Sequence, residues 1–382
     1  MLSKPTGPAS MGYRFLCPAD GQGMDEALEA TRYFVYNLYK LFFHPAEALR
    51  ALTAHESPLV LAEMVALAAA LLCWLWYLVT RNCSHVDRMW SIVPPIYVII
   101  FGWYDIKTAL AAVHMALTAS TSNGAGRGIS IFRILTAVST AVSNSGADGR
   151  LLVAAALTTV WGCRLTFNFW RKGGYSLRYE DYRWAEVRKL MHPVVFEVFN
   201  LAFVALAQHA LCLLITIPAF VTATVGRKVE GGTPQPMGSA EWAAAALFAL
   251  LLLGEVIADE QQWAFQRRKY QLLASGQPRR GDYKRGFRTT GLFRFSRHPN
   301  FFCEYGMWWS FYVLCAVLPS RCLLGWSAAG AAGLTLLFHA GSLWITEHIS
   351  ASKYPDYAAY QATTSAIIPC WPGKRLADTG SD

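Results

Sequence analysis

Charge is what this 382-residue chain has least of. Only 15% of its residues are Asp, Glu, Lys or Arg, against 54% hydrophobic and 14% aromatic. That is too apolar for the two or three soluble domains the length could fill. No GxGxxG follows a strand pattern, which excludes a Rossmann dinucleotide site. The nine cysteines occur singly with no CxxC pair, several of them inside apolar runs (Cys73, Cys212, Cys315). They are expected to be small core hydrophobes rather than zinc ligands or disulfide partners, and no metal site is expected. Residues 1–32 lack the basic, apolar, small-residue order of a cleavable secretory signal, so the first spanning helix is expected to direct the chain to the membrane. The apolar runs do not alternate with period two, which excludes a closed barrel. No inverted repeat supports a transporter.

What is present is a series of runs long enough for a helix to cross the hydrocarbon layer. They predict an all-α polytopic membrane helical bundle of about seven transmembrane helices. The spans are expected at Leu59–Val79, at Trp90–Tyr104 with a kink or break at Pro94-Pro95, at Leu151–Trp170, from Val194 toward Val225 with Pro218 as its end, at Ala240–Ala258, at 299–319 and at 322–346. The fifth should run on as a polar helix through about Leu273. Residues 1–58 form an N-terminal region, with 1–32 expected to be mobile and the aromatic Tyr33–Phe43 suited to an interfacial helix. The bundle of spans 1–5 occupies 59–258. Within it, 118–150, rich in Ser, Thr, Gly and Ala, is expected to be a loop insertion of low structural content. Residues 259–370 form a C-terminal region holding the last two spans, joined by a tight hairpin at Pro319-Ser320-Arg321, and 371–382 a disordered tail.

Charge orients the bundle. Between Arg267 and Arg297 there are ten Lys or Arg against Asp282 alone, a surplus equal to the whole chain's +9. Basic loops stay on the cytosolic side. With seven spans this also puts 171–193 and the 80–89 link in the cytosol, and it predicts a lumenal N-terminus and a cytosolic C-terminus.

An ionisable group inside a span is costly and is a candidate for function unless it lies near enough to an end to snorkel. Glu63, Glu197 and Asp259 lie near ends. Glu255 and Glu304 do not fit that explanation. Gln208, His209 and His339 suit hydrogen bonds between helices. The densest local signal is Gly291 to Glu304 (GLFRFSRHPNFFCE). Arg294 and Arg297 offer guanidinium forks suited to phosphate, His298 and Asn300 offer directed hydrogen bonds, and Pro299 suits the first turn of a helix whose N-terminus attracts anions. Contact of these cations with anionic headgroups is the plainer alternative, but it leaves unexplained why Asn300 and Glu304 stand one helical turn apart on one face.

The stretch from about Glu255 to Pro369 resembles the C-terminal domain of steroid 5-alpha-reductases, and the spanning region as a whole is similar to the DUF1295 membrane family of that superfamily. The resemblance is carried by DRMWS (Asp87 to Ser91) with Pro94, by Arg164, Asn168 and Arg171, by EDYRW (Glu180 to Trp184), by SRHPN (Ser296 to Asn300) with Glu304, and by YPDY (Tyr354 to Tyr357) before Pro369. Isoprenylcysteine and phospholipid methyltransferases share an Arg-His-Pro-Asn-like element and a following acid. The resemblance implies that Asn300 and Glu304 hold NADPH, with Asp259 and Arg267 or Arg268 as further acidic and basic contacts. Tyr283, Arg294, Arg297, His298 and Tyr357 complete the expected cofactor set. The reaction it implies is hydride transfer to a conjugated carbon–carbon double bond of a lipid or sterol-like substrate, with a nearby acid polarising the carbonyl. The N-terminal half offers no clear equivalent of the reductases' own acid pair, so Asp87, Glu180, Asp181 and Tyr182 are candidates by chemistry alone. Glu347-His348 with Tyr357 and Tyr360 also resembles the methyltransferase branch, for which the cofactor would be S-adenosylmethionine. A non-catalytic lipid-binding protein is the third reading. The expected partners are a lipid and the membrane, with no nucleic acid. The superfamily's usual place is the endoplasmic reticulum.

Overall fold

The computed structural model describes residues 14–16, 21–122, 131–226 and 234–376. A short strand, β1 (Arg14–Leu16), precedes helices α1 (Gly21–Leu41), α2 (Pro45–Ala54), α3 (Pro58–Thr80), α4 (His85–Met89), α5 (Val93–Phe101), α6 (Trp103–Ser122), α7 (Ile131–Ser143), α8 (Gly149–Arg171) and α9 (Tyr182–Lys189). Then come α10 (Pro193–Leu214), α11 (Ile217–Val221), α12 (Ser239–Ala274), α13 (Asp282–Arg285), α14 (Pro299–Ser320), β2 (Cys322–Leu324), α15 (Trp326–Lys353) and α16 (Tyr357–Thr363). Among the described residues, six helices (α3, α8, α10, α12, α14, α15) are long and apolar enough to cross a membrane, and the bent pair α5–α6 makes a seventh.

The starts of the spans follow from local chemistry. Pro58, Pro193 and Pro299 open α3, α10 and α14, where a missing N–H removes no helical bond. Asp148 caps α8 by accepting the Arg150 N–H at 2.9 Å. The expected break at Pro94-Pro95 is displaced. Both prolines sit in the first turn of α5, where they cost no bond, and the chain turns by 74° at Gly102, between α5 and α6.

Three expectations change in the N-terminal half and the hairpin. Residues 21–32, expected to be mobile, belong to α1, whose Ala27, Ala30, Phe34 and Asn37 form one buried stripe; Thr31 donates to Glu63 of α3 at 2.6 Å. Residues 1–13 and 17–20 lie outside the described residues. The 118–150 segment is not a loop of low structure. It continues α6 to Ser122 and forms α7, packed against α6, while 123–130 lie outside the described residues. The tight hairpin after α14 contains β2, which pairs in parallel with β1, Arg14 opposite Cys322 and Leu16 opposite Leu324. Cys322 is disulfide-bonded, contrary to its expected role as a core hydrophobe. The other described cysteines are free, and of these Cys163 and Cys370 are exposed. Of the expected tail, 371–376 has no regular structure and 377–382 lie outside the described residues.

The core is aromatic. Trp161 of α8 and Trp308 of α14 are fully buried and meet edge to face at 5.0 Å, and Phe311 packs on Trp308 at 5.5 Å. Two glycines let backbones approach. A Cβ on Gly330 of α15 would lie 2.2 Å from the Leu214 carbonyl oxygen of α10, and one on Gly162 of α8 would lie 2.5 Å from the Ser91 carbonyl oxygen and 2.7 Å from Pro95 Cγ. Gly162→Ala should therefore lower the melting temperature in detergent, by an amount corresponding to about 1–3 kcal/mol of overpacking; an unchanged melt would show that α5 and α8 yield freely.

Candidate functional site

The site begins where α8, α12 and α14 reach the side of the bundle that carries the basic loop. On α8, Arg164, Asn168 and Arg171 share a face through helical spacing. On α12 the same logic aligns Glu255 and Asp259. The two faces interlock. Arg164 donates to Asp259 at 2.7 Å and to Glu255 at 2.5 Å, Asn168 donates to Asp259 at 2.7 Å, and Arg171 donates to Asn168 at 2.8 Å while bonding Glu260 and lying 5.0 Å over the Trp263 ring. From α14, Glu304 reaches within 3.9 Å of Arg164 and accepts both core indoles, Trp161 at 2.9 Å and Trp308 at 3.0 Å. Three carboxylates thus converge on one guanidinium, and two of the deepest aromatic rings fix the position of the third.

A second assembly faces this one. The DRMWS and EDYRW segments, far apart in the chain, are knitted together. Arg88 donates to the carbonyls of Gly174, Ser176 and Tyr179 at 2.9, 2.9 and 3.1 Å, Asn82 donates to Tyr179 at 2.7 Å, and the Asp181 N–H donates to Ser84 at 2.9 Å. Trp184 then donates to Asp87 at 3.1 Å, and Arg183 grips Asp181 at 2.8 and 3.1 Å. The two acids are driven in opposite directions. Burial pushes the Asp87 carboxyl above the usual carboxylate range, more than the Arg183 charge lowers it. Burial also acts to raise Asp181, but its bidentate Arg183 outweighs that and holds it below. Lys172, just past the end of α8, is lowered by burial.

A cavity of about 590 Å³ joins the two assemblies. Its polar wall includes Asp87, Asn168, Lys172, Asp181, Glu255, Asp259, Asn300 and Glu304, and its apolar wall includes Phe199 and Phe203 of α10 and Leu337, Phe338 and Trp344 of α15. The structure therefore brings together five of the expected catalytic and cofactor residues, Asp87, Asp181, Asp259, Asn300 and Glu304, with Glu255 and Gln208 beside them. Among the described residues the Asn300 side chain makes no hydrogen bond to protein, so its carboxamide faces the cavity with its bonding capacity unspent.

The remaining candidates stand elsewhere. Glu180 accepts the Cys83 N–H and both Arg188 nitrogens at 2.7 Å each; burial acts to raise its carboxyl, but these bonds hold it below its usual range, and it ties the 81–84 link to α9. Tyr182 is exposed. Tyr283 stacks on Phe265 at 5.2 Å. Arg297, His298 and Tyr357 all close on Glu347, at 2.7, 2.7 and 2.6 Å, joined by Gln361 at 2.8 Å, and Arg297 also donates to the carbonyls of Gln361 and Thr364. Their task is to hold the 293–298 segment, which is further pinned by backbone bonds from Arg297 to Ser365 and His298 to Ala366 at 2.8 and 3.0 Å. Arg297 is thus not free to take a phosphate. Arg267 and Arg268 are exposed and Arg294 is half-buried, and none of the three has an ion pair among the described residues.

Lys172 and Arg183 were not singled out, and Glu347 was noted only for its resemblance to the methyltransferase branch. The signal for the buried cluster was the matched spacing of Arg164, Asn168 and Arg171 with acids at 255 and 259. No comparable pattern marks Glu347, whose partners come from two separate segments, 297–298 and α16.

The helices and the internal polar site define an integral multi-pass membrane protein. The chain belongs to the family described as protein of unknown function (DUF1295), which matches residues 127–364. It is 31% identical over 329 residues to an uncharacterized protein of Schizosaccharomyces pombe, covering 82% of this chain and 80% of that protein. No solved structure matches it.

Because Arg297 and Glu347 are both largely buried, with side chains 10% and 12% exposed, Arg297→Ala should cost stability even with no ligand present, about 3–5 kcal/mol for one half of a buried pair. A melting curve unchanged from wild type would return Arg297 to the list of free cations.

Proposed function

We propose that this protein is an NADPH-dependent membrane reductase of an activated carbon–carbon double bond in an amphipathic lipid. The observation that carries the reading is the single cavity in which Asn300, Asp259 and Glu304 share a wall with a buried acid, Asp87, whose proton is held above the usual range while its neighbour Asp181 is held ionised. Two acids pushed apart in this way are suited to different roles.

The residues fit the cofactor. Asn300 offers an unspent carboxamide to a carboxamide or ribose partner. Arg267, Arg268, Arg294 and Lys172 offer cations for phosphate in place of Arg297, His298 and the other residues bound to Glu347. When bound, NADPH supplies a hydride and leaves a positively charged ring. Glu255, Asp259 and Glu304, three acidic side chains gathered on one Arg164, would give a cationic ring an acidic wall. Asp87 supplies the proton that completes saturation of the double bond, and Trp184 fixes the carboxyl that delivers it. Methyl transfer from S-adenosylmethionine is the second reading, since the same carboxylates suit a sulfonium; it gives no use to an acid kept protonated.

The orientation that goes with this reading puts the basic loop and the cavity mouth in the cytosol, where NADPH is found. The disulfide at Cys322 and the β1–β2 pair lie at the far end of α14, which suits an oxidising lumen such as that of the endoplasmic reticulum.

Thermal melts of the detergent-purified protein with NADPH, NADH and S-adenosylmethionine provide the test. NADPH should raise the melting temperature, and Asn300→Ala should remove that rise without lowering the unliganded melt. Stabilisation by S-adenosylmethionine alone would overturn the reductase in favour of a methyltransferase. Asp87→Asn keeps the acceptor for Trp184 and should still bind NADPH, while reduction of a long-chain enone falls about 10²–10⁴-fold. In the wild type that rate should decline as rising pH removes the Asp87 proton.

A further inference from the structure

The cavity has two unlike ends, and the apolar end leads to the outer surface of the bundle. It is walled by two helices that both leave the regular α-helical pattern there. In α10 the stretch Asn200–Ala207 is π-helical, and in α15 so is Leu337–Leu343. Such wide turns recur at functional sites because they displace one residue's worth of backbone from the helical register. Phe203 comes from the first stretch, and Leu337, Phe338 and Gly341 from the second. No residue of the α15 stretch is buried; its Phe338 and His339 rings meet Phe301 and Tyr305 of α14 at 4.7 and 5.6 Å. The apolar lining continues onto the surface, with Leu190 and Trp344 of the wall and Val194, Val198 and Leu336 beside it all more than a third exposed. In a spanning region such residues face hydrocarbon.

We infer that the gap between α10 and α15 is a lateral portal through which a single-chain amphipathic lipid enters from the leaflet on the basic side, its oxygenated head at Asp87 and Asn300 and its hydrocarbon chain trailing into the bilayer. The level of the portal follows from its neighbours. Leu190 and Met191 belong to the 171–193 link on the basic side, and Trp344 lies on α15 nearer its basic-side end than its start at Trp326. The commitment to a lipid rests on continuity. An aqueous substrate would have no use for a mouth lined by phenylalanine and leucine that opens on the lipid-facing surface, while a lipid crosses no polar barrier until its head reaches the acidic end. This inference takes from the proposed function only that the polar end is where chemistry occurs.

Gly341 supplies the test. A Cβ there would meet only Leu337 Cδ1, at 3.5 Å, an ordinary contact, so a side chain can start from this position, and Gly341→Trp is the variant that narrows the portal. The protein in nanodiscs is irradiated with a long-chain 2-enal that carries a diazirine near its chain end, and labelled peptides are mapped by mass spectrometry. Labelling is expected in the segments 199–203 and 337–342, and it should be lost in Gly341→Trp, whose melting temperature still rises with NADPH. Should Gly341→Trp melt below the wild type without ligand, Ser342→Trp takes its place in the same wall. Labelling confined to other spans, or undiminished by these variants, would overturn the portal. Labelling at the portal in a protein that gives no response to NADPH would uphold the portal and remove the reductase.

Discussion

The constraint on which the rest depends is the meeting of Glu255, Asp259 and Glu304 at Arg164, inside a protein whose outer surface faces hydrocarbon. Charges so placed are largely withdrawn from bulk water and depend on one another and on the cavity for satisfaction. That requirement fixes α8 against α12 through paired bases and acids, and α14 against both through the indoles of Trp161 and Trp308 on Glu304. The aromatic core is therefore more than apolar filling. Its two largest rings end in N–H groups directed at a carboxylate, so packing and polar satisfaction are met by the same side chains. Three acids gathered on one guanidinium at the edge of a cavity distinguish this wall from an isolated ion pair.

Much of this was legible in the sequence. Long apolar runs gave the spans, and the spacing of Asn300 and Glu304 put both on one face, where the structure has them line the cavity. Other parts were misread for reasons that can be stated. Arg297 and His298 looked free because a cation in a basic loop carries no mark of its partner, and Glu347 lies 50 residues downstream of Arg297. Segment 118–150 looked structureless because Ser, Thr, Gly and Ala are weak signals individually, yet Ile131–Ser143 places its few large apolar residues at helical spacing. Cys322 looked like a core hydrophobe because it stands alone in the sequence. No local pattern in the sequence marks it as a disulfide partner. The bend at Gly102 was assigned to the prolines, although prolines in a first turn have no bond to break.

Function and architecture divide between the two faces of the bundle. On the basic side, three helix ends, two interlocked loops and the segment clamped by Glu347 surround the cavity. On the other side, α1, α2 and the β1–β2 pair form a scaffold without a comparable set of converging polar groups among the described residues. The segment at 293–298 is the hinge of this division. Held to the 365–370 stretch by backbone bonds and to Glu347 by side chains, it sets the position at which α14 begins and hence where Asn300 faces.

The strand pair has a consequence for how the molecule is made. β1 precedes every candidate span, while β2 follows α14. The earlier strand is therefore made before its partner and keeps an unpaired edge until the spans between them have been inserted. Its pairing is a closing step that only a chain with the right number of crossings can make. A nascent protein that misses one crossing delivers β2 to the wrong side and leaves both edges open, a defect that quality control could detect from outside the bilayer.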